Sequence, residues 1–188
     1  MISWLLFALQ APSAAAPVCQ ITPEQKAANA KLSFDDFDQK GVTPVTSRKL
    51  AEAGCWAESA EATQHYLLYG PQVSEGQQRV LRFHLAQQTA NAGREREAAL
   101  VMAGARNPAE SLATPETLRW NDFVRGHWAF FTKDKAMLQA SLAAVEAGTG
   151  FGNRLNTALL QGLLKCFDRS YRDAVEAPCR IQPDEEPK

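Results

Sequence analysis

The stretch LRWNDFVRGHWAFFTKD, residues 118–134, carries the clearest hydrophobic pattern in the chain. At about 100° per residue, Trp120, Phe123, Val124, His127, Trp128, Phe130 and Phe131 fall within an arc of roughly 160°. Asp122, Arg125 and Lys133 take the far side. So wide a stripe predicts a helix packed between two neighbours, with the aromatic residues as core rather than as a ligand-binding face. Alternating Val, Ile and Thr runs of the kind that mark strands are scarce, and long Ala-, Leu- and Gln-rich stretches dominate. Helix starts are well marked: TPEQ at 22–25, SEGQ at 74–77, TPET at 114–117 and SYRD at 170–173 all offer a hydroxyl cap. Breaks fall at KGVTPVTS, YGPQVSEG, RNPAESLATP and AGTGFGN. The expected fold class is all-α.

Four segments look alike: AEAGCWAESAEATQHYL, ANAGREREAALVMAGA, AFFTKDKAMLQASLAA and KCFDRSYRDAVEA. Each reads as a helix, a tight link and a second helix that opens with charge and alanine. Ala60, Ala98, Ala136 and Ala174 stand 38 residues apart, at positions where a small side chain lets the second helix pack closely on the first. One such hairpin cannot bury its apolar face alone, so stacked hairpins share a core. The expected architecture is a tetratricopeptide-like stack of about four helical hairpins, an α-solenoid, preceded by a signal peptide and one short helix. An irregular helical bundle is the alternative.

The first charged side chain is Glu24. Before it, MISWLLFALQ is a short apolar run followed by the small residues of APSAAAP, which together match the apolar and cleavage regions of a secretory signal peptide. Cleavage after Ala15 puts Ser13 and Ala15 at the two small-residue positions. A buried N-terminal helix is the competing reading. The run is too short to span a bilayer, and no later segment qualifies. The expected layout is a signal peptide at 1–15, an N-terminal helix and linker at 16–46, the helical-hairpin repeat domain at 47–179 and a disordered tail at 180–188.

An even set of cysteines beyond a signal peptide, Cys19, Cys55, Cys166 and Cys179, points to disulfides and an oxidising compartment, periplasmic or secreted. Neither close C-x2-C pairs for zinc nor a redox C-x-x-C occurs. The favoured pairing is Cys19–Cys55 with Cys166–Cys179. Twenty basic residues against 21 acidic ones leave no basic field for a polyanion, so no nucleic-acid partner is expected. GTGFGN follows no strand and lacks the lysine of a phosphate loop. The pairs Glu58/Glu61 and Glu95/Glu97 sit where second helices open, where solvated acids suit the helix dipole. No serine-hydrolase elbow or H-E-x-x-H motif is present, and no cofactor or metal is implied.

Read in series, GCWAESAEATQHYL, FHLAQQTANAGREREAA, RWNDFVRGHWAFFTKDKAML and LLKCFDRSYRDAVEAPC resemble a group of small, secreted bacterial helical-repeat proteins with no assigned activity. The shared elements are F-H-x-x-Q (Phe83, His84, Gln87), W-N-x-[YF]-V (Trp120, Asn121, Phe123, Val124) and A-F-x-x-x-D-K (Ala129, Phe130, Asp134, Lys135). A closing set, Cys166, Phe167, Tyr171 and Cys179, completes them. The resemblance spans roughly residues 34–179, departs from the pattern at the bulky His127 and Trp128, and implies the helical fold and export.

Val80, His84, Gln87 and Asn91 form one line at helical spacing. First helices of hairpin solenoids line the concave surface, so this mostly polar line is a candidate partner-binding face. Asn121 and Asp134 are weaker candidates, with helix packing or capping as their other roles. The expected function is non-catalytic: binding of an unknown protein or peptide in the cell envelope. The alternatives are a small cell-wall or peptide hydrolase using groove carboxylates and a small-ligand sensor using the aromatic helix.

Overall fold

The structure is a computed structural model that describes residues 19–182, so the expected signal peptide and residues 183–188 of the tail lie outside the described residues. The order is α1 (Pro23–Asn29), a π-helical turn (Asp35–Lys40), α2 (Ser47–Glu52), α3 (Trp56–Tyr69), α4 (Glu75–Asn91), α5 (Glu95–Ala103), α6 (Trp120–Phe131), α7 (Lys135–Glu146), α8 (Phe151–Lys165) and α9 (Tyr171–Ala174). The all-α expectation holds among the described residues. None of their helices is long and apolar enough to cross a membrane.

Local chemistry explains where the helices begin. Thr22 and Ser74 each form a complete capping box, with Gln25 and Gln77 as the reciprocal partners. Ser170 caps α9 by accepting the Asp173 N–H at 3.2 Å. TPET is the exception. Thr114 and Thr117 close a hydrogen-bonded turn on each other, and the helix starts only at Trp120, where the apolar stripe begins. Cap chemistry without a following stripe stops at a turn.

The helices pair along the chain: α2 with α3, α4 with α5, α6 with α7 and α8 with α9, and each pair packs on the next. Three of the four intra-pair turns share one geometry. Gly54, Gly93 and Lys133 adopt left-handed φ of 76°, 83° and 57°. The next residue's N–H reaches back to a carbonyl five positions earlier: Cys55 to Leu50, Arg94 to Thr89 and Asp134 to Ala129, at 2.8, 3.1 and 2.8 Å. This is the Schellman closure, and it turns the chain back sharply.

The equal alanine step does not survive in space. Ala60, Ala98 and Ala174 are buried, but Ala136 is exposed. The equivalent position lies four residues past each N-cap, at Ser59, Ala98, Leu138 and Ala174, all of them buried. These positions are 39, 40 and 36 residues apart. Unequal links offset one another, so the 38-residue alanine spacing was a coincidence of an alanine-rich chain.

Two cores result. The larger joins α4 to α9 around Phe83, Phe123, Phe130, Leu138, Leu160 and Tyr171. The α6 aromatic stripe lies inside it, with Trp120 and Trp128 at its edge, as expected for a helix held between neighbours. Gly126 permits the close crossing of α6 on α8, since a Cβ there would stand 2.6 Å from a methyl of the fully buried Leu160. The smaller core gathers Phe37, Leu50, Ala62, Tyr66 and Leu81. In it, Phe37 stacks on Tyr66 at 4.1 Å and the Tyr66 hydroxyl donates to the Leu32 carbonyl. The segment between α1 and α2 is therefore packed against the helices that follow it.

Both disulfides are present in the favoured pairing, Cys19–Cys55 and Cys166–Cys179, and no free cysteine remains. The first ties the N-terminal arm to the α2–α3 turn. The second holds α9, which is only four residues long and cannot persist by itself. For separations of 36 and 13 residues the chain-entropy model assigns about 4 and about 3 kcal/mol. Replacing both Cys166 and Cys179 by Ser is expected to lower the unfolding free energy by about 3 kcal/mol. Amide protection should be lost in α9 first and kept in α2–α5. Hydrogen exchange with a melting curve checks this, and an unchanged melting temperature would dismiss the staple.

Candidate functional site

A cleft of roughly 400 Å³ is lined by the first helix of every pair, α2, α4, α6 and α8, together with α9, the π turn and Trp56 at the start of α3. Its floor is polar and buried: Ser47, Gln88, Asn91, His127 and Tyr171. Its rim carries Arg48, Glu52 and Arg180, and Leu159, Leu163 and Val175 supply an apolar side.

The polar line on α4 opens onto this cleft. His84, Gln87 and Asn91 all line it, joined by Gln88, which accepts from the Thr63 hydroxyl at 2.8 Å and so stays fixed to α3. Asn121 and Asp134 lie elsewhere. Asn121 pins the long 104–119 link, accepting the Asn107 N–H at 2.7 Å and donating to the Asn107 carbonyl at 2.8 Å. Asp134 caps α7 by accepting the Met137 N–H at 2.9 Å. Three of the five sequence candidates therefore meet at one place, and two hold the scaffold.

Several lining residues escaped the sequence reading. Asp38, 2% exposed, faces His84 across the boundary between the π turn and α4, with its two oxygens 2.9 and 3.0 Å from His84 Nδ1. The carboxylate fixes the imidazole, placing the proton on Nδ1. Tyr171 closes the floor from α9. Its hydroxyl meets Gln87 Nε2 at 3.0 Å, and its backbone N–H donates to Glu95 at 2.6 Å. Burial pushes the Tyr171 hydroxyl well above the ordinary tyrosine range, so it keeps its proton. Glu95, expected to be a solvated dipole acid, is instead a tie between α5 and α9, paired also with Lys133 at 3.4 Å. Glu97 keeps the solvated role beside Arg94.

His127 is 1% exposed and ringed by Phe83, Phe123, Phe131 and Tyr171. Its Nδ1 lies 3.2 Å from the Phe123 carbonyl. Burial depresses its pKa to about 4, and the carbonyl contact only partly opposes this. Of the two carboxylates that line the cleft, Asp38 and Glu52, the latter is held below the usual carboxylate range by its hydrogen bond to Lys49. Cys19, Cys55 and Glu58 bring potential ligand atoms within 4.8 Å of one another, but both sulfurs are consumed in a disulfide and offer no thiolate.

No protein-family model, curated protein or solved structure matches the chain.

The buried histidine generates a pH dependence with a definite sign. The folded state keeps His127 neutral down to about pH 4, whereas the unfolded chain protonates it near the ordinary value of 6.5. Stability is therefore full above about pH 6.5 and is lost as pH falls towards 4. Between pH 7 and 5 this one group is expected to remove about 2 kcal/mol. Denaturant titrations of the parent and of His127→Phe should show a flatter pH slope in the variant. Parallel slopes would place the acid sensitivity elsewhere.

Proposed function

We propose that this chain is an exported, non-catalytic helical-repeat protein of tetratricopeptide-like architecture, which binds a protein or peptide partner of the cell envelope in its cleft. The observation that carries the reading is that the first helix of all four consecutive pairs contributes to one cleft. That is how stacked hairpins make a concave recognition surface. Two disulfides suit an oxidising compartment. The apolar run and small-residue stretch before Cys19 are read as a signal peptide cut after Ala15.

The observations favour this over the alternatives. A hydrolase of the two-carboxylate kind needs one acid held protonated. Glu52 is stabilised in its ionised form instead, and Asp38 is engaged by His84 and Gln39. A sensor using the aromatic helix needs those rings accessible, yet Phe123, Phe130 and Phe131 are buried in the core.

Two measurements test the reading. A photo-crosslinking residue at Leu159, 44% exposed on the cleft rim, is expected to give a defined protein adduct in cells of the source. The same residue at Leu100, 79% exposed on α5 and outside the cleft, should not. Equal adducts or none from both positions would reject the cleft as the binding surface. Intact mass of the native protein should show a chain beginning at Ala16 whose thiols alkylate only after reduction. An intact N-terminus with freely reacting thiols would reject export.

A further inference from the structure

Three side chains of the cleft share one arrangement. Asn91 Nδ2 donates to the Gln87 backbone carbonyl at 2.9 Å. A carbonyl only accepts, so this contact fixes which end of the carboxamide is which. Asn91 Oδ1 is left buried with no partner among the described residues, on a side chain 6% exposed. His127 directs Nδ1 to the Phe123 carbonyl, so its proton sits there and Nε2 is a bare acceptor. His84 directs Nδ1 to both oxygens of Asp38, and in the neutral ring its Nε2 is likewise bare. Each leaves an acceptor at the cleft, and the same floor carries two hydroxyl donors: Ser47, buried without a partner among the described residues, and Tyr171, whose oxygen accepts from Gln87 and whose proton is free.

The other surfaces narrow the occupant. Phe151, Leu155 and Leu159 are 38, 37 and 44% exposed and stand four residues apart, so they form one apolar stripe on α8. It enters the cleft through Leu159 and Leu163. At the rim Arg48 is paired with Glu52 at 3.6 Å, and Arg180 adds an exposed positive charge. With Asp38 and Glu52 also lining the cleft, these charges balance, so no net charge is asked of the ligand. A volume of roughly 400 Å³ accommodates a few residues, not a folded domain.

We infer that the cleft takes a short extended peptide segment through uncharged amide groups, from the backbone or an Asn or Gln carboxamide, with their N–H on the acceptors of the floor and their C=O on its hydroxyls, and an adjacent apolar side chain against α8. This rests on the peptide-binding reading above and specifies its chemistry. The free acceptors also explain why a buried carbonyl oxygen is tolerated: the partner supplies the hydrogen bond it lacks.

The test is selection of a phage-displayed random hexapeptide library on the disulfide-bonded protein, with an unrelated helical protein as control. The expected result is enrichment of peptides with Asn or Gln beside an apolar residue and no enrichment of charged residues of either sign. A synthetic peptide of the enriched sequence should bind about tenfold more weakly to Asn91→Ala, by loss of a floor hydrogen bond. It should weaken similarly on Leu159→Gln, a change at an exposed position that leaves the melting temperature unaltered. Enrichment of acidic peptides whose binding is indifferent to both variants would overturn the donor assignment while leaving peptide binding intact. Absence of any enrichment over the control would overturn the peptide-binding reading as well.

Discussion

The cleft depends on keeping Tyr171 in place. It opens the shortest helix among the described residues, a four-residue element with almost no intrinsic persistence, yet the residue is 1% exposed. Its ring packs edge-on against Phe130 and Phe131, its N–H is taken by Glu95 and its hydroxyl meets Gln87. Packing and hydrogen bonds from three other helices thus hold it from outside, while the Cys166–Cys179 bond limits how far the segment can move when those contacts open. Without Tyr171 the floor would lose one end, and Gln87 would lose the group that fixes its carboxamide.

Lys133 makes the same dependence visible at the α6–α7 turn. A lysine at φ 57° is strained where glycine occupies the equivalent turns at Gly54 and Gly93. Its ammonium offsets the cost by donating to the Phe167 and Arg169 carbonyls at 3.2 and 2.8 Å, lying 3.9 Å from the Phe130 ring centroid and pairing with Glu95. The α8–α9 connection is thus pinned by a side chain from the preceding hairpin. Backbone strain at one turn is accepted because the side chain it projects closes the next.

What was legible in the sequence was local. Thr22, Ser74 and Ser170 were readable as caps because a cap acts within three residues, and the α6 stripe because a helix repeats within its own length. His84, Gln87 and Asn91 fell on one face for the same reason. Asp38 and Tyr171 were not readable: they meet α4 across 46 and 84 residues of chain, and no periodicity links them to it. Asp38 sits moreover in a π-helical turn, whose spacing departs from 3.6 residues per turn and so hides which of its residues share a face. A hint was present in SFDDFDQK, where an acid directly follows Phe37, but only packing decides that the acid is buried with it.

The polarity of the floor is costly for folding alone. A buried acceptor without a partner costs about 1–3 kcal/mol, and an apolar side chain of similar size at Asn91 would avoid it. The bare nitrogen of His127 follows the same logic with a further constraint. Burial keeps the ring neutral, so it remains an acceptor across the pH range in which the fold is stable. Beside these acceptors the Ser47 and Tyr171 hydroxyls each keep a proton to give, so the floor matches a group that both donates and accepts, as an amide does, better than a carboxylate, which only accepts.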